Sequence, residues 1–164
     1  MVFQEAVSIP IFHKISNYCS KQKIECYVVG GFVRDYILER ECSEFDLLVI
    51  GDGILFAKEI AKIINPSISV NVFKNFGTAY FKYKDYDFEF VGARKESYSR
   101  NSRNPIIEIG NFRDDINRRD FKMNSLAISL NKKNFGELID LHGGLADIKQ
   151  KVINTPLDSN ITFS

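Results

Sequence analysis

The sequence lacks long apolar runs and has few cysteines and histidines, so it shows no signs of a membrane protein, a secreted protein or a protein that binds metal through histidines. None of its apolar runs approaches the roughly 20 residues of a membrane-spanning helix, and its start lacks the basic segment and apolar core of a signal peptide. Its cysteines are Cys19, Cys26 and Cys42, without a C-x-x-C pair, which favours reduced thiols in a cytoplasmic protein. Its histidines, His13 and His142, are too few and too far apart for a histidine-based metal site.

Net charge is also small, because 22 Lys and Arg side chains nearly balance 21 Asp and Glu side chains and leave +1 at pH 7. Composition therefore does not by itself indicate a nucleic-acid-binding protein. A hydrophobic content of 45% with 26% charged residues is ordinary for a globular domain. The 164 residues suffice for one domain with a sizeable core, and two full domains are not expected.

Apolar residues recur with two different periods along the chain. Helical spacing is found in three segments, the first of which contains Pro10 as a start or kink: 5–22, 31–39 and 54–64. Strand-like runs occupy five further segments: 26–29, 45–50, 68–73, 78–83 and 86–91. Residues 84–85 form a short turn, so the last two runs predict a hairpin.

The last third of the chain is less regular. The polar segment 95–110 predicts a long loop. Residues 122–130 and 136–139 predict a second hairpin, and 140–149 predict a turn followed by a helix. We therefore predict an α/β (α+β) fold, with a mixed, largely antiparallel sheet of about five strands backed by helices on one side.

A glycine pair follows the first strand. Gly30 and Gly31 stand where a strand turns into a helix, and such a turn lets backbone N–H groups approach a phosphate at the positive end of the helix dipole. A tight structural turn would explain the pair equally well. Arg34 and Asp35, one turn into the helix, make the phosphate interpretation the better one, with Asp35 orienting Arg34.

Two carboxylates stand at the head of the second strand. Glu44 and Asp46 are two residues apart on a strand, so their side chains share one face about 7 Å apart. Two carboxylates beside a phosphate site are what a divalent metal needs when it also holds a triphosphate. Glu89, on the hairpin strand, is a candidate third carboxylate. A solvated acidic surface is the alternative for these side chains.

Four ordered motifs now suggest a family. They are G-G-x-V-R-D at Gly30–Asp35, the acidic triplet at Glu44–Asp46, R-R-D-F-x-x-N at Arg118–Asn124, and D-x-x-x-G-x-x-D-[LI] at Asp140–Ile148. In order and spacing, over roughly residues 24–164, they resemble the head domain of the class II tRNA nucleotidyltransferase and poly(A) polymerase family, within the DNA polymerase beta superfamily.

The resemblance implies roles for particular residues. Nucleotide binding is implied for Gly30, Gly31, Arg34, Arg118, Arg119, Asp120 and Asn124. Catalysis is implied for Glu44, Asp46 and Glu89, with Glu44 and Asp46 as metal ligands. The implied cofactor is Mg²⁺, as two ions, with Mn²⁺ as an alternative. The family has Asp-x-Asp where this chain has Glu44 first.

The implied reaction is the addition of CMP and AMP, from CTP and ATP, to the 3′ end of tRNA. The implied partners are therefore tRNA or another RNA 3′ end, with no membrane and no obligate protein partner. Two alternatives stay open: a poly(A) polymerase, and a catalytically impaired nucleotide- or RNA-binding head in which Glu44 no longer supports chemistry.

The motifs also divide the chain. Residues 1–139 are expected to form the catalytic head, and 140–164 the hinge motif and the start of a truncated neck region. The E-D-x-x-R motif, with which the family selects the incoming base, is absent from these residues. We therefore expect this chain to bind triphosphates without discriminating CTP from ATP.

Overall fold

The computed structural model describes residues 1–97 and 106–163. Within these ranges the chain forms six α-helices: α1 (Pro10–Gln22), α2 (Gly31–Ile37), α3 (Gly53–Ile64), α4 (Phe112–Asn117), α5 (Gly144–Gln150) and α6 (Ser159–Thr162). It also forms nine strands: β1 (Cys26–Val29), β2 (Glu44–Val49), β3 (Asn71–Phe73), β4 (Thr78–Tyr83), β5 (Tyr86–Gly92), β6 (Arg94–Ser97), β7 (Ile106–Ile109), β8 (Ala127–Ser129) and β9 (Leu138–Ile139). None of these helices is long and apolar enough to cross a membrane.

Seven of the strands form one mixed sheet in the order β3-β4-β5-β2-β1-β8-β9. The pairing of β2 with β5 is parallel, and the other neighbours are antiparallel. The predicted mixed, largely antiparallel sheet is thus confirmed, with seven strands instead of about five. The sheet is wider than expected because the segments of the second predicted hairpin, which contain β8 and β9, join the same sheet through the pairing of β8 with β1.

The main core lies between one face of this sheet and helices α1 and α3. Alternate residues of the strands point into it, as the period of two requires, and they are rich in phenylalanine. The ring of Phe45 lies 5.0 Å from that of Phe12 and stacks on Phe88 at 5.2 Å, while Phe81 stacks on Phe90 at 5.3 Å. These rings anchor β2, β4 and β5 to one register.

The opposite face of the sheet is only partly covered. At one end Ile116 of α4 packs on Tyr27, Val29 and Leu48. On the part of this face that α4 does not cover, the register of β2 and β5 sets acidic side chains opposite each other in two pairs. Asp46 stands opposite Glu89, and Glu44 stands opposite Asp87. The fold therefore leaves a polar, solvent-facing area in the middle of an otherwise apolar sheet.

The predicted long loop over 95–110 is wrong at both ends. Residues Arg94–Ser97 pair antiparallel with Ile106–Ile109 as a separate two-stranded ribbon. The isoleucine-rich run at 106–109 has high strand propensity, and the backbone N–H of Gly110 donates to the carbonyl of Ala93 at 2.9 Å, which closes the ribbon. The middle of the predicted loop, 98–105, lies outside the described residues.

Two glycines that open helices provide a test of the packing. A Cβ on Gly53 would lie 2.6 Å from the backbone nitrogen of Gly92, whereas a Cβ on Gly31 would meet only the Arg34 guanidinium at 3.6 Å. We expect Gly53→Ala to lower the free energy of unfolding by about 2 kcal/mol, because backbone must move. Gly31→Ala should change it by less than about 0.5 kcal/mol. Equal urea unfolding midpoints for the two variants would contradict this packing.

Candidate active site

The glycine turn at Gly30 and Gly31 lies next to side chains of two other segments, Arg119 and Asp46. Gly30 has φ +74° and ψ −131°, a conformation that favours glycine, and its N–H donates to the carbonyl of Leu126 at 3.1 Å. A Cβ at Gly30 would lie 3.3 Å from Nη1 of Arg119 and 3.6 Å from Oδ2 of Asp46. The turn is thus in close contact with both a guanidinium and a carboxylate. Gly31 then opens α2.

The carboxylates line a cleft of about 280 Å³ on the open face of the sheet. Glu44 and Asp46 lie on the same face of β2, and Glu89 lies directly across from Asp46 on β5. Asp87 also lines the cleft, but it accepts a hydrogen bond from the hydroxyl of Tyr80. The structure therefore assembles the three carboxylates for which catalysis was predicted.

Burial and neighbouring charges raise the pKa values of two carboxylates in this cleft. Asp46 stays accessible to solvent, yet partial burial of its carboxyl group raises its pKa, with the charge of Glu44 adding to the rise and Arg119 opposing it. Burial, and then the charge of Asp46, raises the pKa of Glu89. A cation in this cleft would relieve both effects, since it favours the ionised carboxylates.

The donor set suits a hard divalent cation shared with a substrate. Among the described residues, no three His, Cys, Asp or Glu side chains converge into a ready-made metal centre. Magnesium, however, keeps several waters and binds through one or two carboxylates plus substrate phosphates. Glu44 and Asp46, which line the same cleft, fit that requirement and are the residues that would supply two of the ligands.

A second group of polar side chains surrounds Arg34. Its guanidinium makes two hydrogen bonds to Asp35, at 2.9 and 3.1 Å, and Nη1 donates to Oδ1 of Asn124 at 2.9 Å. Hydrogen bonding to Asp35 raises the pKa of Arg34, so its positive charge is permanent. Asn124 in turn donates to Asp120 at 3.2 Å. These contacts orient Arg34 beside the turn.

Asp115 is a site residue that sequence reasoning missed. Its side chain is only 2% exposed, and it forms ion pairs with Arg118 at 3.3 Å and Arg119 at 3.2 Å. The signal was present, because Asp115 stands three and four residues before these arginines, the spacing at which helical side chains meet. A buried carboxylate thus holds both guanidiniums of the R-R-D motif.

Arg118 and Arg119 are neighbours in the sequence, but their side chains lie in different parts of the site. Arg119 lies against the Gly30 turn, and its Nη1 is 3.5 Å from the carbonyl of Asn124. Arg118 lines a different groove, in which Glu89 is one of its neighbours. The predicted nucleotide-binding set is therefore divided by the carboxylates, with most of its members on the Gly30 side.

The last motif forms a tight turn at the start of α5. Both oxygens of Asp140 accept backbone N–H groups: Oδ1 from Gly143 and Gly144 at 2.8 Å each, and Oδ2 from Leu145 at 3.0 Å. Gly144 also packs so closely on the carbonyl of Lys122 that a Cβ there would lie 2.2 Å from it. This motif joins α5 to the segment that carries Asn124.

Comparison with known proteins agrees with this geometry. Residues 26–154 match the family described as the poly A polymerase head domain. The A-adding tRNA nucleotidyltransferase of Aquifex aeolicus is 42% identical over 130 residues, which cover 79% of this chain and 16% of that protein. The CCA-adding enzyme of Lactobacillus delbrueckii subsp. bulgaricus is 32% identical over 154 residues, or 93% of this chain and 35% of that enzyme.

A solved structure extends the comparison to three dimensions. A tRNA nucleotidyltransferase complexed with a primer tRNA and an incoming ATP analogue superposes with a TM-score of 0.76 at 36% identity. The match covers 87% of this chain and 39% of that one. This chain thus spans between about a sixth and two fifths of the proteins that it matches.

The raised pKa of Asp46, whose first cause is burial, predicts that neutralising this side chain stabilises the fold. The pKa of Asp46 is raised above 3.8, so the neutral form is favoured by the fold; this stabilisation is complete below pH 3.8 and is lost as the pH rises through the folded-state pKa. We expect Asp46→Asn to raise the urea unfolding midpoint at pH 7, and the gain to vanish below pH 3.8.

Glu41→Gln is the matched control, because Glu41 is exposed and lies outside the cleft. It removes one negative charge from the chain and should leave the midpoint nearly unchanged at both pH values. A lower midpoint for Asp46→Asn at pH 7 would show that the ionised carboxylate stabilises the fold instead.

Proposed function

The chain belongs to the poly A polymerase head-domain family, and from that premise we propose that it transfers nucleotides to the 3′ end of an RNA. The 3′-hydroxyl attacks the α-phosphate of a nucleoside triphosphate, and pyrophosphate leaves. The observation that carries the proposal is the position of Asp46, which has Glu89 on one side and the Gly30 turn with Arg119 on the other. The carboxylates that would bind metal are thus next to the turn and the guanidinium that would bind the triphosphate.

The groups around the Gly30 turn are proposed to bind the triphosphate. The backbone N–H of Gly31 and the guanidinium of Arg119 bind the triphosphate, since planar guanidiniums pair with phosphate oxygens. Gly30, whose own N–H donates to Leu126, lets the phosphate approach the turn closely because it has no side chain. Arg34, fixed by Asp35, adds a permanent positive charge beside them. In-line displacement needs positioning and charge neutralisation more than covalent help from the protein.

The other predicted residues complete the nucleotide site. Asp120 and Asn124, which are hydrogen-bonded to each other, are proposed to contact the ribose, and Arg118 a phosphate. The family generally uses divalent metals, and Glu44 and Asp46 are the residues that would hold them here, as two Mg²⁺ ions or Mn²⁺ in their place. Bound metal supplies positive charge that neutralises the phosphate oxygens and lowers the pKa of the attacking hydroxyl.

The proposed division of the chain follows the same motifs. Residues 1–139 would act as the catalytic head, and 140–164 as the hinge and the beginning of a neck region. Gly143, with φ +80°, and the Asp140 turn before α5 are consistent with a joint at this point.

The specific substrate is proposed to be tRNA lacking its 3′-terminal CCA, with CTP and ATP as donors. Addition of A alone is a second candidate, since an A-adding tRNA nucleotidyltransferase is among the relatives, at 42% identity. Similarity in the head region does not separate the two, because these relatives share it.

A primer-extension assay tests the proposal. This chain, a tRNA lacking its last three nucleotides and Mg²⁺ should give extension products with CTP and with ATP at similar rates, since the base-selecting motif is absent from these residues. Extension should stop with EDTA and return with added Mg²⁺. Asp46→Asn should slow it by about a thousandfold or more.

Three other results would be informative. Ordered addition of C, C and A would contradict the expected lack of selectivity and establish CCA addition by this chain. Incorporation from ATP but not from CTP would favour A addition if a single residue is added, and a poly(A) polymerase if a run of A residues is added. Binding of labelled ATP without any extension would contradict the proposed chemistry and favour the impaired head in which Glu44 does not support catalysis.

Asp115 should act as a positioning residue for Arg119. We expect Asp115→Asn to weaken ATP binding about tenfold, because one charge-assisted hydrogen bond is worth about 1.5–3 kcal/mol and the Arg119 fork loses its fixed orientation. Asp114→Asn is the matched control, since Asp114 caps α4 through Asn111. Only Asp115→Asn should lose ATP affinity, as measured by fluorescence titration. It should also lose more stability in urea than Asp114→Asn, because it weakens two ion pairs of a buried carboxylate.

A further inference from the structure

An apolar pocket lies on the helical side of the sheet, away from the carboxylates. It has a volume of about 340 Å³ and is formed where the start of α1, the end of α3 and the turn between β4 and β5 meet. Three isoleucines and two tyrosines provide most of its lining: Ile9, Ile11, Ile64, Tyr83 and Tyr86. Pockets that bind small molecules have volumes of about 300–1,000 Å³ and a mostly apolar lining with a few polar groups. This pocket therefore has the size and composition of a small ligand site.

The sheet separates the apolar pocket from the catalytic cleft. Along β5 the side chains of Tyr86 and Phe88 pack on the core side, whereas those of Asp87 and Glu89 line the cleft on the open face. The ring of Tyr86 lies 5.5 Å from the ring of Phe45, which belongs to the core. The nucleotide and metal sites described above use no residue of this pocket, so a ligand bound here would leave the cleft accessible.

Apolar surface in the pocket is still partly open to solvent. Ile11 is buried, with 5% of its surface exposed, and forms part of the pocket's inner wall. Ile9, Ile64, Tyr83 and Tyr86 pack against the core but remain partly exposed. An apolar group placed in the pocket would remove more of this surface from water, which is favourable. The body of a suitable ligand is therefore apolar.

Two lysines and one aspartate add a net positive charge to the pocket. Lys14 lies in the second turn of α1, and Lys84 and Asp85 form the turn between β4 and β5. Within residues 1–97 and 106–163, neither lysine forms an ion pair with a carboxylate. Nζ of Lys84 lies 5.5 Å from the centroid of the Tyr83 ring, which keeps its charge at the apolar wall. One anionic group on a ligand would balance this net charge.

The backbone at Lys84 is unusual for a lysine. Its φ of +54° lies in the left-handed region, where two-residue hairpin turns usually have asparagine, aspartate or glycine. A lysine in this conformation lowers the stability of the fold, and residues in such conformations are concentrated at functional sites. The conformation of Lys84 is therefore a second observation that favours a ligand at this pocket.

We propose that the apolar pocket binds a small amphipathic anion, a molecule with an apolar body and one carboxylate or similar acidic group. The body lies against Ile9, Ile64 and Tyr86, and the acidic group lies near Lys14 and Lys84. Exposed ion pairs contribute little to binding, so the apolar contacts provide most of the affinity and the lysines provide the preference for an anion. The proposal does not rest on the proposed nucleotidyl transfer, because the two sites share no residue.

An NMR titration of the ¹⁵N-labelled chain tests the proposal. The probes are 2-naphthoate, an aromatic carboxylate, decanoate, an aliphatic carboxylate, and 2-naphthylmethanol, a neutral analogue of the first. Carboxylate binding should be saturable and should shift the amide signals of Ile11, Lys84 and Tyr86 most. The neutral analogue should shift the same signals but bind about fivefold more weakly than 2-naphthoate.

The two carboxylates distinguish two kinds of ligand for the same pocket. Saturable binding of 2-naphthoate alone would assign the pocket to aromatic anions, and binding of decanoate alone would assign it to aliphatic anions. Binding of both would show that either body is accepted. Lack of saturable binding by both carboxylates would overturn the proposal, as would shifts centred on residues outside the pocket.

A pair of double variants tests the role of the charges. Lys14→Gln combined with Lys84→Gln should weaken binding of 2-naphthoate about fivefold and leave that of 2-naphthylmethanol unchanged. Lys21→Gln combined with Lys58→Gln is the matched control, because it removes two exposed lysines of α1 and α3 that lie outside the pocket. Equal affinity of the two double variants for 2-naphthoate would contradict the proposed preference for an anion.

The titrations are done in EDTA and without nucleotide, so their outcome does not depend on nucleotidyl transfer. If the chain extends no primer but binds 2-naphthoate at the pocket, the pocket stands and the proposed chemistry is wrong. If the chain extends a primer but binds neither carboxylate, the pocket is wrong and nucleotidyl transfer stands.

Discussion

The parallel pairing of β2 with β5 is the constraint on which the site depends. Because this register sets Asp46 opposite Glu89, carboxylates from distant parts of the sequence meet on one solvent-facing area. The register is held from the other side of the sheet, where Phe45 stacks on Phe88 within the core. A slip of one residue in this register would bury the carboxylates and expose the rings. The register that packs the core is therefore also the register that assembles the site.

Acidic partners hold the positive charges around these carboxylates in place, and of these partners Asp115 is buried and Asp35 is partly exposed. Asp115 holds Arg118 and Arg119, and Asp35 holds Arg34, so each guanidinium has a fixed direction before any ligand arrives. Such preorganisation removes part of the entropy cost of binding a phosphate. The pKa values of Asp46 and Glu89 are both raised, first by burial and then by neighbouring carboxylates. A bound cation would favour the ionised carboxylates.

Much of this could be read from the chain alone. The glycine turn, the acidic triplet and the R-R-D-F-x-x-N segment are local patterns, and each predicts its own element and chemistry without knowledge of the rest. The prediction of a loop over 95–110 failed because β6 and β7 are short and polar or apolar patterns in either one do not reveal that they pair with each other as a ribbon. Asp115 was missed because its importance comes from burial, and burial is a property of the packed chain.

The sequence by itself determined the fold class, the order of motifs and the types of side chain available for phosphoryl chemistry. These follow from periodicity and from residue chemistry, which are local. Only the tertiary structure decided that Arg118 and Arg119 lie on different sides of the carboxylates, and that the ends of α1 and α3 meet the turn after β4 at one apolar pocket. Those relations depend on strand order and register, which are set by long-range packing and are not encoded in any single segment.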